Sequence, residues 1–150
     1  MKSKKLASAT ILIFETGEEF ISILTQFAKE HGISSGHFTG IGAFSEASIG
    51  YFDWGKRDYL RNEVKEQVEV VSLIGDIALD KGSPKVHGHI VVGRRDGSAL
   101  AGHLMSGRVR PTLELVLEDS GRLQRRFDSE SGLALIDLEA NGSSGGETER

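Results

Sequence analysis

Three of the chain's five histidines are concentrated in two short pieces, His87-Gly88-His89 and Gly102-His103. The chain contains no cysteine, so a bound metal would have to be held by nitrogen or oxygen atoms. Three neutral imidazoles on rigid strands suit a zinc-like ion, and they leave a fourth coordination position open. Water bound at such a position becomes a nucleophile near neutral pH. These residues therefore predict a site for a divalent transition metal, with zinc as the best match.

The turn that joins the two pieces decides whether the three histidines meet. Asp96-Gly97 between two extended runs is a strong hairpin signal. A two-residue loop would place His89 opposite Leu104 and mix apolar and imidazole side chains on both faces. A three-residue loop places His89 opposite His103, and the alternation of strand faces then brings His87 to the same side. We predict the three-residue loop, because it separates the imidazoles from the apolar side chains.

Glu114 is the candidate for a further role at this site. It lies on the next alternating strand, where a carboxylate would serve as a fourth ligand, as an acceptor that orients an imidazole, or as a general base. The alternative for the histidines is that they pack at a subunit interface or line a polar groove without binding a metal. The sequence leaves both interpretations open.

The elements that position these residues follow from the spacing of apolar side chains. One helix is expected from Glu18 to Gly32, with Thr16 as its cap. The segment 47–53 is expected to continue the strand at 36–44 or to return antiparallel to it. Strands are predicted at Leu6–Phe14, 36–44, 47–53, Tyr59–Val64, Val68–Leu79, Lys85–Val92, Ser98–Met105, Pro111–Glu118, Arg122–Phe127 and Leu133–Leu138.

This pattern predicts one α+β domain over residues 1–138, with a mostly antiparallel sheet that curls toward a partial barrel. The strand at Val68–Leu79 is expected to be covered on both faces, and the arginine-rich run at Arg122–Arg126 to be a solvated edge. Residues 139–150 have no apolar side chain to bury after Ala140, so this tail is predicted to be disordered.

Composition and charge exclude some classes of protein. No apolar run approaches the roughly 20 residues that span a bilayer, so we expect no membrane segment and a cytoplasmic protein. The formal net charge is −4, which provides no long-range attraction for a polyanion such as DNA.

Several pieces, taken in order, resemble the PPC domain of plants and prokaryotes, which is also found beside AT-hooks in plant nuclear proteins. The resemblance implies one helix against a strongly bent antiparallel sheet, assembled as a homotrimer. In prokaryotic single-domain members the matching histidines look like a metal-binding cluster, which carries over to His87, His89 and His103. The segments that carry this resemblance are residues 39–44 with 49–53, residues 68–75, His87-Gly88-His89 with Asp96-Gly97, residues 102–104 and residues 112–117.

Three functions are compatible with these observations. The first is a trimeric PPC-type module in a cytoplasmic prokaryotic protein, which binds itself, holds a divalent metal and has a regulatory or assembly role. The second is a metal-dependent enzyme that acts on a small substrate, with Glu114 as catalytic group. The third is DNA-associated regulation, as the family label suggests. DNA contact in the family belongs to the AT-hook, however, and Arg108-Val109-Arg110-Pro111 has valine in place of the hook's glycine.

Overall fold

The computed structural model describes residues 1–139, which contain one α-helix and nine strands. Apart from Glu139, the tail that we predicted to be disordered lies outside the described residues. In chain order the elements are β1 (Lys2–Lys5), β2 (Thr10–Glu15), α1 (Phe20–Glu30), β3 (Ser35–Asp53), β4 (Asp58–Val64), β5 (Val68–Asp80), β6 (Ser83–Gly93), β7 (Ala99–Asp119), β8 (Gln124–Phe127) and β9 (Ala134–Asp137).

The strands form one sheet that closes on itself around β3 and β7. Both β5 and β7 pair with β3, and β6 pairs with β5 and β7, so these four strands make a ring of pairings. β1 and β2 extend the sheet beyond β7, β4 pairs with β3, and β8 and β9 follow β5. Named strands pair antiparallel except at one parallel bridge, Leu79 with Gln124. The predicted α+β class with a mostly antiparallel sheet is confirmed.

Two strands are longer than we predicted. β3 runs through 19 residues and β7 through 21, so segment 47–53 continues the strand at 36–44, and the two strands expected around Pro111 are one. One of the predicted strands began at Pro111, and proline cannot donate a hydrogen bond to a strand ladder. In the structure the β3–β7 ladder is interrupted there, between the partners Val109 and Leu113. The absence of an N–H group at Pro111 therefore removes no hydrogen bond from that ladder.

The helix begins at a different cap from the one we predicted. The carboxylate of Glu19 accepts from the N–H of Ile21 at 3.3 Å and from the N–H of Ser22 at 2.8 Å, which makes it the N-cap. Thr16 instead donates its hydroxyl to the carbonyl of Pro111 at 3.0 Å. At the other end, Gly32 follows the last turn at φ 66°, as expected for a helix stop.

Two further predictions about strands are wrong. Of the expected strand at Leu6–Phe14, only residues 10–14 are strand, within β2; the N–H of Leu6 donates to the carbonyl of Ala9 at 2.7 Å, and residues 6–9 reverse the chain between β1 and β2. Within the single chain, β5 is not covered on both faces, because Val71 is 58% exposed and Ile74 is 54% exposed. Apolar residues on both faces of a strand do not show whether both faces are buried or one apolar face is left uncovered.

One face of the sheet packs against α1 and forms the core. Phe20 of the helix lies between Phe14 of β2 and Phe38 of β3, with ring centroids 5.3 and 5.8 Å apart. All three rings are fully buried. No helix within residues 1–139 has the length and apolar character needed to cross a membrane.

The opposite face carries an exposed apolar surface. We call it the open face and define it by Ile41, Val71, Ile74 and Val116, which are 60%, 58%, 54% and 40% exposed. They come from β3, β5 and β7 and line two adjoining grooves, together with Glu114. A contiguous apolar surface of this kind marks an interaction site more often than scattered apolar residues do.

The ring of Phe38 rests on a glycine of the neighbouring strand. Phe38 pairs with Gly75, and Gly75 pairs with Gly88 of β6. A Cβ atom added at Gly75 would lie 2.2 Å from the carbonyl oxygen of His87 and 2.3 Å from the Phe38 ring. A Cβ added at Gly88 would make only ordinary contacts, at 3.5 Å or more. Gly75 is therefore required by packing and Gly88 is not.

We predict that Gly75→Ala lowers the free energy of unfolding by about 1–3 kcal/mol, because the methyl group overpacks the core against backbone and an immobile ring. Gly88→Ala is the matched control, and it should be neutral or stabilise by up to about 1 kcal/mol through the unfolded chain. Thermal unfolding of both variants at one protein concentration measures the difference. Equal midpoints for the two variants would contradict the packing argument.

Candidate metal centre

The β6–β7 hairpin has the three-residue loop that we predicted. The N–H of Arg94 donates to the carbonyl of Ser98 at 2.8 Å, and the N–H of Gly97 donates back to the carbonyl of Arg94 at 3.0 Å. The ladder below the loop pairs His89 with His103. The left-handed position of this loop, at φ 83°, is occupied by Gly97, which has no Cβ to be strained there.

This register separates apolar from imidazole side chains. Ile90, Val92 and Leu104 are buried in the core, on the side that faces α1. On the other side, His87 and His103 are half-buried and His89 is exposed. The imidazoles therefore lie on the outer surface of the sheet, and solvent reaches them through His89.

The three histidines converge. The ring centroids of His87 and His89 are 5.3 Å apart, those of His87 and His103 5.2 Å, and those of His89 and His103 5.5 Å. One nitrogen from each ring lies within 4.8 Å of one nitrogen from each of the others. Such nitrogens can approach a common ion at the 2.0–2.1 Å that is typical of zinc–histidine bonds with small side-chain movements.

The structure does not bring Glu114 to this cluster. Glu114 pairs with Ile41 of β3, whereas His103 pairs with Gly50, nine positions further along the same strand (50 − 41). Glu114 is not among the residues whose ligand atoms converge in the histidine cluster. Glu114 lines the grooves of the open face instead. The alternation of β7 correctly put Glu114 on an outer face, but the length of that strand separates it from the histidines.

The carboxylate beside the histidines is Asp76 of β5, which we did not predict. Its Oδ2 lies 3.1 Å from Nδ1 of His87, and its Oδ1 accepts from Nη2 of Arg125. A carboxylate only accepts, so the proton of His87 belongs on Nδ1 and Nε2 is left as the ligand atom. A signal for Asp76 was present in the sequence. Lys81-Gly82 forms a two-residue loop, and counting back from it along both strands puts Asp76 opposite His87.

The charges around Asp76 keep it ionised. Partial burial raises the pKa of its carboxyl group, but the hydrogen bond with His87 and the positive charge of Arg125 together outweigh burial and leave the pKa below its usual value. The carboxylate is therefore available as an acceptor for His87 across the neutral range. We had placed Arg125 on a solvated edge, and its side chain is only 6% exposed.

Burial also controls the other two imidazoles. It lowers the pKa of His103 to about 4, and the nearby charges of His87, His89 and Lys85 add to the effect. Burial likewise lowers the pKa of His89, with a contribution from His87. Both rings are thus neutral near pH 7, which is the form that binds a metal.

A further observation indicates that these residues fit a bound metal. The Nδ1 atom of His103 is buried and finds no hydrogen-bond partner among the described residues. A buried nitrogen without a partner is costly unless something outside the protein satisfies it. Three imidazoles, one of them oriented by a carboxylate, match the chemistry of a zinc ligand set.

An aromatic wall stands beside His103. The ring centroid of Tyr59 on β4 lies 4.6 Å from that of His103, and the ring centroid of Phe52 lies 5.2 Å from that of Tyr59. Burial raises the pKa of Tyr59, so its hydroxyl stays protonated at neutral pH. Nothing in the sequence pattern singles out Tyr59, because only the β3–β4 pairing brings it to the site.

The remaining histidines lie elsewhere. His31 ends α1, with Nδ1 3.0 Å from the carbonyl of Phe27, and His37 of β3 lies 3.6 Å from a carboxylate oxygen of Glu118. Neither belongs to the cluster formed by His87, His89 and His103.

Comparisons with known proteins agree with this architecture. A Bacteroides thetaiotaomicron structure, described as a candidate DNA-binding protein, is 37% identical, with a TM-score of 0.88 over 92% of this chain and 97% of that one. A Pyrococcus horikoshii plant- and prokaryote-conserved (PPC) protein is 30% identical, with a TM-score of 0.82 over 91% and 93% of the two chains. A metal-containing protein from Archaeoglobus fulgidus is 33% identical, with a TM-score of 0.80 over 88% and 94%.

No protein of curated function matches the sequence. The family model of the Plants and Prokaryotes Conserved (PCC) domain, however, matches residues 1–120. The resemblance that the histidine pieces and the glycine-rich strand suggested is thereby confirmed, and the chain belongs to the Plants and Prokaryotes Conserved domain family.

Proposed function

We propose that the chain is a homotrimeric PCC-domain module that holds one divalent transition metal, zinc by its ligand set, in a cytoplasmic prokaryotic protein. The module has either a regulatory role or a role in protein assembly. The convergence of His87, His89 and His103, with the tautomer of His87 set by Asp76, is the observation that carries the proposal. The description of the Archaeoglobus relative as a metal-containing protein supports it.

The chain's own residues would hold the ion as follows. His87 would bind through Nε2, since Asp76 occupies its Nδ1. His103 is held against Tyr59 on β4, and His89 approaches from the solvent side. Soft thiolate ligands are absent from the sequence, so the site favours ions that accept imidazole, of which zinc is the common case.

A second candidate function is a metal-dependent enzyme. It is favoured by the exposure of His89, because three protein ligands and an accessible edge leave a coordination position that water or a substrate can reach. When bound, the metal would activate that water or polarise a substrate oxygen. Glu114 lies on the open face and outside the histidine cluster, whereas the ring of Tyr59 lies 4.6 Å from that of His103.

Self-association is supported by the open face. Ile74 of that face pairs directly with His89 in the β5–β6 ladder, so the apolar surface runs up to the proposed metal site. Phe127, Leu135 and Leu138 form a second exposed apolar set on and beside the β8–β9 hairpin. A ring of three copies needs contacts between unlike surfaces of successive chains. The open face and this second set provide two such surfaces.

Direct DNA binding is not part of the proposal. Each chain carries a formal charge of −4, so three chains carry −12, and affinity for duplex depends on lysine and arginine contacts to phosphate. The segment Arg108-Val109-Arg110-Pro111 lies within β7 rather than in a free arm. Val109 is buried, and Arg108 contacts Glu46 at 3.1 Å and donates to the carbonyl of Gly17 at 2.9 Å.

We predict that the purified protein retains about one zinc ion per chain and that His89→Ala retains almost none, because two imidazoles do not make a zinc site. His37→Ala is the control, since it removes an exposed histidine outside the cluster. Elemental analysis after gel filtration measures the metal content. Equal metal content in wild type and His89→Ala would exclude the proposed site. An anion-dependent change in the visible spectrum of the Co²⁺-loaded protein would favour the enzyme over a closed structural site.

The metal-free protein is expected to show His103 titrating near pH 4. The pKa of a histidine in an unfolded chain is about 6.5. Between about pH 4 and about pH 6.5, His103 is therefore protonated in the unfolded chain and neutral in the folded chain. The free energy of unfolding should therefore fall as the pH drops from about 6.5 to about 4, and this group should add nothing below that. Imidazole NMR shifts and thermal unfolding test this. His103→Gln should flatten the pH dependence, and a His103 that titrates at its ordinary value would contradict the burial argument.

We predict that Ile41→Lys converts a trimer into smaller species, because it places a charge on the open face. The new lysine would lie opposite Glu114, so the fold of the single chain should tolerate it. Leu60→Lys on β4 is the control, an exposed apolar position outside the open face. Sedimentation equilibrium measures the mass. A wild-type monomer would overturn the assembly proposal, and a trimeric Ile41→Lys would exclude the open face as the interface.

A further inference from the structure

The β8–β9 hairpin lies beyond residue 120, where the match to the family model ends, and it is fastened to the body of the domain at both ends. Near its start, the N–H of Leu79 on β5 donates to the carbonyl of Leu123 at 2.9 Å. At its turn, Nη1 of Arg57 donates to the carbonyl of Ser129 at 3.5 Å. Arg57 belongs to the turn between β3 and β4. The hairpin therefore runs between two parts of the sheet that flank the histidine cluster.

One side chain of this hairpin reaches the cluster indirectly. The guanidinium group of Arg125 donates from Nη2 to Oδ1 of Asp76, and from Nη1 to the carbonyl of Ala134 at 3.3 Å. The other oxygen of the same carboxylate contacts His87. Asp76 thus joins a buried arginine of the hairpin to an imidazole of the cluster. Arg126, the next residue, points away and is 72% exposed, with its Nε 3.1 Å from Asp137.

We infer that Arg125 is a positioning residue for the candidate metal centre: it holds the carboxylate of Asp76, and Asp76 holds the ring of His87. The inference rests on the proposed metal function and extends it to a part of the chain that the family model does not match. It makes the β8–β9 hairpin a component of the site.

The physical reason is the geometry of a shared carboxylate. With His87 as its only partner, the carboxylate of Asp76 could rotate about its terminal bond and the imidazole would turn with it. A charged donor on the second oxygen fixes the carboxylate plane, because bonds between ionised groups are short and strongly directional. His87 then presents Nε2 in one direction before any ion arrives. Removing a residue that orients a metal ligand without binding the metal itself typically weakens metal affinity by about 10–100-fold.

Zinc affinity, measured by competition with a chromophoric chelator, tests the inference. We expect Arg125→Gln to bind zinc about tenfold more weakly than wild type, and Arg126→Gln, the adjacent exposed control, to bind as wild type does. Asp76→Asn should lose at least as much as Arg125→Gln. Because Arg125 is argued to act only through Asp76, the double variant should bind no more weakly than Asp76→Asn alone.

A second readout needs no metal. The ¹⁵N shifts of the His87 ring in metal-free protein report which nitrogen carries the proton, and they should show the Nδ1–H tautomer in wild type and a mixture in Arg125→Gln. A merely structural arginine would lower the unfolding midpoint without changing this tautomer. If Arg125→Gln does not fold, Arg125→Lys replaces it, since lysine keeps the charge but lacks the forked donors.

The outcomes separate the two proposals. A wild type that binds no zinc but shows the tautomer change refutes the metal function and leaves the positioning by Arg125 standing. A wild type that binds zinc, with equal affinity in Arg125→Gln and Arg126→Gln, overturns the inference alone. Additive losses in the double variant overturn it as well, because they would show that Arg125 acts independently of Asp76.

Discussion

The pairing of β6 with its two neighbours is the constraint on which the site depends. Strand faces alternate with a period of two, so a shift by one residue on either side would turn His87 and His89 into the core and expose Ile90. The three-residue loop sets the pairing with β7, and the two-residue loop at Lys81-Gly82 sets the pairing with β5. Both loops have to be right for His103 and Asp76 to meet the same histidine pair.

Core packing and the site are connected through the same strands. Phe38 rests on Gly75, the residue that precedes Asp76, and Gly75 pairs with Gly88 between the two histidines. The close approach that the ring requires therefore lies one residue from the carboxylate and the imidazoles. Because protein interiors are densely packed, a displacement in this part of the core would be transmitted to the outer surface. The site is built on rigid strands, which is favourable for holding ligands in place before an ion binds.

The surroundings of the histidines differ strongly from one side to the other. Tyr59 covers His103, and Arg125 with Asp76 supports His87, while His89 adjoins the open face through Ile74. Burial lowers the pKa of His89 and of His103 and keeps these two rings neutral, and the contacts with His87 and Arg125 keep the carboxylate of Asp76 charged. A cation placed among them would meet neutral ligands first and a negative charge behind them. A negative charge in this position stabilises a cation bound to the imidazoles.

The local features of the protein could be predicted from the sequence, because each depends on residues near one another in the chain. The helix at Phe20–Glu30, the loop at residues 95–97 and the shared face of His87, His89 and His103 follow from periodicity and turn chemistry. The tertiary structure alone decided what meets across long separations. It joined the segments of β3 and of β7 into single strands, which carried Glu114 away from the histidines, and it brought Tyr59 and Arg125 to them. Local patterns give the face on which a side chain lies, whereas its neighbours on that face depend on the register of every strand between them.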